Sequence, residues 1–132
     1  MKRFEGNIYP AVAAGLEVLQ FYRSIDRIRR FAPDNFPIHA AIHDVIAVEG
    51  ENSSIYSPPH VHPEEDEVNI LVSKSHLLYR ISLDDEVYEV KAPATVWIPS
   101  GLRHSSNVIE GEGFFICIRF PRSSGTPSLP KS

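Results

Sequence analysis

Only one cysteine, Cys117, and one methionine, Met1, occur in the 132 residues. A single thiol closes no internal disulfide, which excludes a small disulfide-stapled scaffold and suits a reducing compartment. Cys117 lies in the apolar run Phe114-Phe115-Ile116-Cys117-Ile118 and reads as a buried core thiol. No stretch approaches the roughly 20 apolar residues of a membrane span. The opening Met1-Lys2-Arg3-Phe4-Glu5-Gly6 lacks the apolar core of a secretion signal. Basic excess is missing too. Thirteen Lys and Arg against 17 Asp and Glu leave a net charge of −4, without the basic face that non-specific nucleic-acid binding needs. One basic cluster, Arg23, Arg27, Arg29 and Arg30, is offset by Asp26 and Asp34 and reads as a solvated face. These absences describe a cytoplasmic protein with neither nucleic acid nor membrane as partner.

The residues that are present suit one globular domain: 42% are hydrophobic and 23% charged. From Pro37 onward the chain is written in short β-rich runs. Ile38–Val48, Glu67–Ser73, His76–Ser82, Glu86–Val90, Ala94–Ile98 and Gly113–Phe120 are the expected strands. Asp84-Asp85, Ala92-Pro93, Pro99-Ser100-Gly101 and Glu110-Gly111-Glu112-Gly113 are the expected breaks. Such spacing predicts an all-β sandwich or barrel. The expected organisation is an N-terminal extension over 1–35, a barrel over 36–121 and a flexible Pro/Ser/Gly-rich tail over 122–132. Within the extension, Ala11–Phe31 fits either a helix or a strand, and extended structure through Tyr22 is preferred.

Strand alternation puts Glu67, Asn69 and Leu71 on one face and Val68, Ile70 and Val72 on the other. Phe114, Ile116, Ile118 and Phe120 form a similar apolar set. A barrel whose outer strand faces are apolar needs a further layer, either the N-terminal extension or a second subunit. A homodimer is therefore expected.

The segment richest in chemistry is Pro58-Pro59-His60-Val61-His62-Pro63-Glu64-Glu65-Asp66-Glu67. In extended chain, His60 and His62 share a face and reach one ion. After a turn, Glu67 brings a carboxylate to the same place. Two imidazoles and a carboxylate form a facial set that leaves coordination positions open. Farther on, the turn at Pro99-Ser100-Gly101 carries His104 back over the barrel mouth. Glu64, Glu65 and Asp66 read as solvated turn acids.

In these two segments the chain resembles the cupins. Their first motif is His-x-His, three or four residues, then Glu, and later Gly; their second is Pro-x-Gly-x-x-His followed shortly by Asn. Here stand His60-Val61-His62, four residues and Glu67, then Pro99-Ser100-Gly101-Leu102-Arg103-His104 and Asn107. Lys74 and Pro93 occupy positions where the pattern has Gly, and Asn107 comes one residue early. The resemblance spans roughly Pro37 to Phe120. It implies a cupin-type double-stranded β-helix (jelly-roll) barrel with one divalent metal on His60, His62, Glu67 and His104. Three imidazoles and a carboxylate suit Fe, Mn, Ni, Co or Zn rather than Ca or Mg.

Further pocket candidates follow from alternation. Asn69 shares the inward face with Glu67. His39 and His43 lie about 13 Å apart on a strand rising roughly 3.3 Å per residue. They cannot share an ion, though one of them, with His43 the candidate, could move a proton. Tyr79, Arg80, Trp97 and Arg119 are also candidates. An inward Arg119 beside Phe115 and Cys117 calls for an anion, either a substrate carboxylate or phosphate or one of the chain's own acids. The functional expectation is a metal-dependent enzyme on a small organic substrate, a dioxygenase or an isomerase or lyase. The alternative is a non-catalytic barrel that binds a small ligand as a sensor.

Overall fold

The computed structural model describes residues 3–14, 27–49 and 56–122. Eight strands follow a short 3-10 turn at Glu5–Asn7: β1 Ala11–Ala14, β2 Ile28–Pro33, β3 His39–Val48, β4 Glu65–Val72, β5 Leu77–Leu83, β6 Glu86–Lys91, β7 Ala94–Ile98 and β8 His104–Pro121. All pairings are antiparallel. The main path runs β1-β2-β3-β8-β4-β7, with β5 pairing both β6 and β8. No helix among the described residues is long and apolar enough to cross a membrane.

The expected strands are present, with one correction. Sequence reading broke the chain at Glu110-Gly111-Glu112-Gly113, whereas β8 runs through this segment. Its first half pairs with β5, from Leu83↔His104 to Leu77↔Gly111. Its second half pairs with β3 and β4, for example Ala41↔Cys117 and Asn69↔Cys117. One strand therefore belongs to both sides of the barrel, and the two glycines form its corner. Gly111 and Gly113 sit at φ +107 and +148. A Cβ would stand 2.1 Å from the His76 carbonyl oxygen at Gly111 and 2.4 Å from that of Val72 at Gly113. Glycine here marks a bend within a strand and a close backbone approach.

At Lys74, where the resemblance expected glycine, the turn is held by Ser73. Its hydroxyl accepts from the Ser75 N–H at 3.0 Å and donates to the Glu112 carbonyl at 2.7 Å. The β5–β6 hairpin turns at Asp84-Asp85 with Asp84 in the left-handed region, φ 59, a conformation Asp tolerates by bonding to its own backbone.

The inward residues of β3, β4, β5 and β8 fill one end of the barrel with Val45, Val48, Leu71, Leu77, Tyr79, Ile81, Val108 and Phe115. Tyr79 and Phe115 stack with centroids 4.6 Å apart. Outward residues alternate as expected, but in the described chain they are only partly covered: Val72 is 45% and Phe114 46% exposed. Within 1–35, β1 and β2 extend the sheet beside β3. The preferred extended structure through Tyr22, and the tail beyond Arg122, lie outside the described residues.

Candidate metal centre

Backbone hydrogen bonds build the site before any side chain acts. His60 and His104 exchange N–H···O bonds of 2.9 Å in both directions, so the two motifs meet as paired chain. The Gly101 N–H donates to the His62 carbonyl at 3.0 Å. Asp66, read from sequence as a solvated acid, is fully buried and accepts from the Ser100 N–H at 2.8 Å. It thereby fastens the second turn to the start of β4. Asn107 holds the approach to His60. Its Oδ1 accepts from the N–H groups of Tyr56 and Ser57 at 2.8 and 2.7 Å, and its Nδ2 donates to the Ser57 carbonyl at 2.9 Å.

Three imidazoles converge as a result. The candidate ligand nitrogens of His60, His62 and His104 all lie within 4.8 Å of one another. Oε1 of Glu67 is 3.3 Å from Nε2 of His104 and 3.5 Å from Nε2 of His62. Two of the rings are held in a defined tautomer. Nδ1 of His60 donates to the Pro58 carbonyl at 2.7 Å and Nδ1 of His104 to the Leu102 carbonyl at 2.8 Å. A carbonyl only accepts, so in both rings Nδ1 carries a proton, and Nε2 is left as the atom that can offer a lone pair to an ion.

Glu67 is buried yet ionised. Burial alone would raise its pKa, but the His104 ring, the Asn69 amide and His62 together hold the carboxyl at about 2. Asn69 Nδ2 donates to Oε2 at 2.8 Å, and Ser106 Oγ donates to Asn69 Oδ1 at 2.9 Å. This chain of bonds secures one carboxylate oxygen and presents the other to the imidazoles. His62 is lowered to about 4 by burial and by Arg119. Burial and the neighbouring Glu67 carboxylate push the Cys117 thiol well up, so it stays protonated.

Whether these residues suit an ion is tested by His104. Its Nε2 is buried, makes no well-formed hydrogen bond and lies 3.3 Å from a Glu67 carboxylate oxygen. A buried imidazole nitrogen beside an ionised carboxylate oxygen is satisfied by a proton on Nε2 or by a metal cation held between the two. Ligand bonds of about 2.0–2.2 Å to a first-row ion put neighbouring donors about 3 Å apart, close to the 3.3 and 3.5 Å between Glu67 and the rings of His104 and His62. The nitrogen-rich donor set, free of thiolate, fits the divalent ions expected from the sequence.

The other candidates separate by register. Arg119 pairs across the sheet with both Glu67 and His39. Its Nη1 lies 3.0 Å from Nδ1 and 3.4 Å from Nε2 of His62, and 3.5 Å from Glu65. Its Nη2 donates to Nδ1 of His39 at 2.9 Å. The mouth position thus belongs to His39, whose pKa burial, Arg119 and Arg30 lower to about 4. His43 lies deeper on β3, fully buried, with Nδ1 3.4 Å from the Tyr56 hydroxyl and its ring against Phe115. Tyr79 is fully buried, its hydroxyl 3.0 Å from that of Tyr56. Arg80 and Trp97, expected as pocket residues, point outward, Trp97 being 42% exposed. Sequence reading missed the structural part played by Asp66, Ser106 and Tyr56. Only Asn107 carried a signal, as part of the second motif.

No protein-family model and no curated protein matches the chain. Solved structures do. An RmlC-like cupin from Shewanella frigidimarina aligns at TM-score 0.54 and 16% identity, covering 82% of this chain and 88% of its own. The nucleoside dehydratase Pac13 of Streptomyces aligns at TM-score 0.58 and 9% identity over 86% of this chain and 81% of its own. A predicted oxalate decarboxylase from Thermotoga maritima aligns at TM-score 0.59 and 11% identity, covering 88% of this chain and 96% of its own. At these identities the likeness shows the fold, which is the cupin barrel.

Proposed function

We propose that this chain is a metal-dependent enzyme on a small organic substrate, working by isomerase or lyase chemistry at a site of His60, His62, His104 and Glu67. The observation that carries the reading is the convergence of three imidazole nitrogens within 4.8 Å of one another, with a Glu67 carboxylate oxygen 3.3 and 3.5 Å from two of them. When bound, a divalent ion with open positions supplies a Lewis acid for a substrate oxygen. The chain's own residues do the rest. The Pro58 and Leu102 carbonyls orient two imidazoles, and Asn69 and Ser106 orient Glu67. Arg119 and a neutral His39 line the open side. A fixed cation favours charge developing on a substrate oxygen, and a neutral imidazole can hold a proton at Nδ1 once Arg119 leaves it. Those two groups favour proton transfer next to a stabilised anion over oxygen chemistry. A dehydratase and a predicted decarboxylase among the structural neighbours are both lyases.

The test is elemental analysis of the purified protein, followed by assays on small acids and sugars. One equivalent of metal per chain, lost in His62→Ala, is the expected result. A chain that takes up no metal even after reconstitution leaves the alternative, a ligand-binding barrel. One equivalent of iron with substrate-dependent oxygen consumption would return the dioxygenase expected beside the isomerase and lyase.

The same proposal extends to the setting. The apolar outer face of β3, β4 and β8 supports a homodimer. There Ile42 is 36%, Phe114 46% and Val72 45% exposed, and Ile46, Val72 and Phe114 line a groove of about 650 Å³. A lone buried thiol and the acidic balance support a cytoplasmic setting without nucleic-acid partners.

A further inference from the structure

We propose that Arg119 couples the metal site to recognition of a substrate carboxylate, by leaving His62 when the metal enters and binding the carboxylate in its place. The inference rests on the metal-site reading above. In the present geometry Nη1 of Arg119 is 3.0 Å from one ring nitrogen of His62 and 3.4 Å from the other. Whichever nitrogen His62 offers, a guanidinium cation already stands against it. An ion about 2 Å from that nitrogen would stand against a guanidinium charge that a part-exposed Glu65, 3.5 Å away, offsets only weakly. His60 and His104 are not obstructed in this way, because their Nδ1 atoms face backbone carbonyls. His62 is therefore the ligand whose availability depends on another side chain.

On release, the guanidinium has a place to go. It is part-exposed at the mouth, with Glu65 3.5 Å away and 36% exposed. It pairs across the sheet with Glu67 on one side and His39 on the other. A planar fork with several donors there suits a carboxylate bound through both oxygens. The surroundings choose the class of anion. With a divalent ion in place, its two positive charges and that of Arg119, set against Glu65 and Glu67, leave one for a monoanion to neutralise, and a phosphate dianion would meet more negative charge than this mouth can offset. The substrate is thus an organic carboxylate whose other oxygen reaches the metal side of the mouth.

Linkage makes this testable without knowing the substrate. If the carboxylate draws Arg119 away from His62, it tightens metal binding, and the metal tightens carboxylate binding by the same factor. Zinc affinity would be measured by titration calorimetry on the full chain, with and without saturating acetate, in wild type, Arg119→Gln and Arg119→Lys. In wild type, acetate is expected to tighten zinc about tenfold. In Arg119→Gln, zinc without acetate binds at least tenfold tighter than in wild type, and the acetate effect falls below twofold. Arg119→Lys, which keeps the charge without the fork, lies between. An acetate effect of equal size in wild type and Arg119→Gln overturns the proposal while leaving the metal site standing. Zinc binding no tighter in Arg119→Gln does the same. A wild-type chain that binds no zinc overturns both. Methyl phosphate producing a larger effect than acetate overturns the carboxylate assignment.

Discussion

Strands β4 and β8 carry two faces of opposite character a single residue apart. Inward stand Glu67, Asn69, Cys117 and Arg119, with Glu67 4% and Asn69 0% exposed. Outward stand Val68, Ile70, Val72, Phe114, Ile116 and Ile118, with Val72 and Phe114 nearly half exposed. The usual arrangement of apolar inside and polar outside is inverted at this end of the barrel. Each buried polar group must then be satisfied, and the site shows how: Asn69 by Glu67 and Ser106, Asp66 by the Ser100 N–H. The outer face has no such device, because apolar surface asks only to be covered. The inner face is thus held by specific hydrogen bonds within one chain, and the outer face is the one the proposed dimer would cover.

The sharpest way to break this contrast is to remove a ligand. His104→Ala should abolish stable metal binding, read as metal content per chain after dialysis, while the chain remains folded. Next comes the apolar floor beneath the site. Phe115→Ala deletes a buried ring stacked on Tyr79 and should cost about 3–5 kcal/mol in urea unfolding. Asn69→Ala leaves all four proposed ligands in place but frees Glu67 from its anchor. Metal affinity should fall about 10–100-fold, as when other groups that orient ligands are lost. Retained affinity would show that Glu67 does not need the amide.

Acid separates the faces without mutation. His43 is lowered to about 3 by burial, with Arg30 adding, and His39 to about 4 by burial and Arg119. Both return to about 6.5 on unfolding, so between these values the unfolded chain binds more protons. The stability of the metal-free chain should therefore be fully present above pH 6.5 and decline as pH falls toward 3, seen as a decreasing urea midpoint. The smallest effect on folding is expected outside. Phe114→Glu should change monomer stability by no more than about 0.5 kcal/mol yet shift sedimentation from dimer to monomer.

Much of the barrel was legible because alternation and turn chemistry are local. Glu67, Asn69 and Leu71 share a face through the two-residue period alone, and Asp84-Asp85 announces its hairpin. Where reading failed, the deciding partner was distant in sequence. Asp66 looks like one more acid in Glu64-Glu65-Asp66 until the Ser100 N–H is set against it. The glycines of Glu110–Gly113 look like a loop until β8 is seen to need a corner there, with the His76 and Val72 carbonyls too close for a Cβ. Trp97 and Arg80 lie on strands where alternation alone left the inner side unassigned.

By itself, then, the sequence determined the donor types and their spacing along the chain: two imidazoles two residues apart, a carboxylate after a turn, a third imidazole after a second turn. Those are properties of neighbouring residues and of the backbone between them. Tertiary structure alone decided that His39 rather than His43 stands beside Arg119, and that Arg119 rests on His62. Both follow from the register of β3 and β4 on β8. Register is set by the packing of whole strands, and shifting it by one residue would turn every one of these side chains to the opposite face.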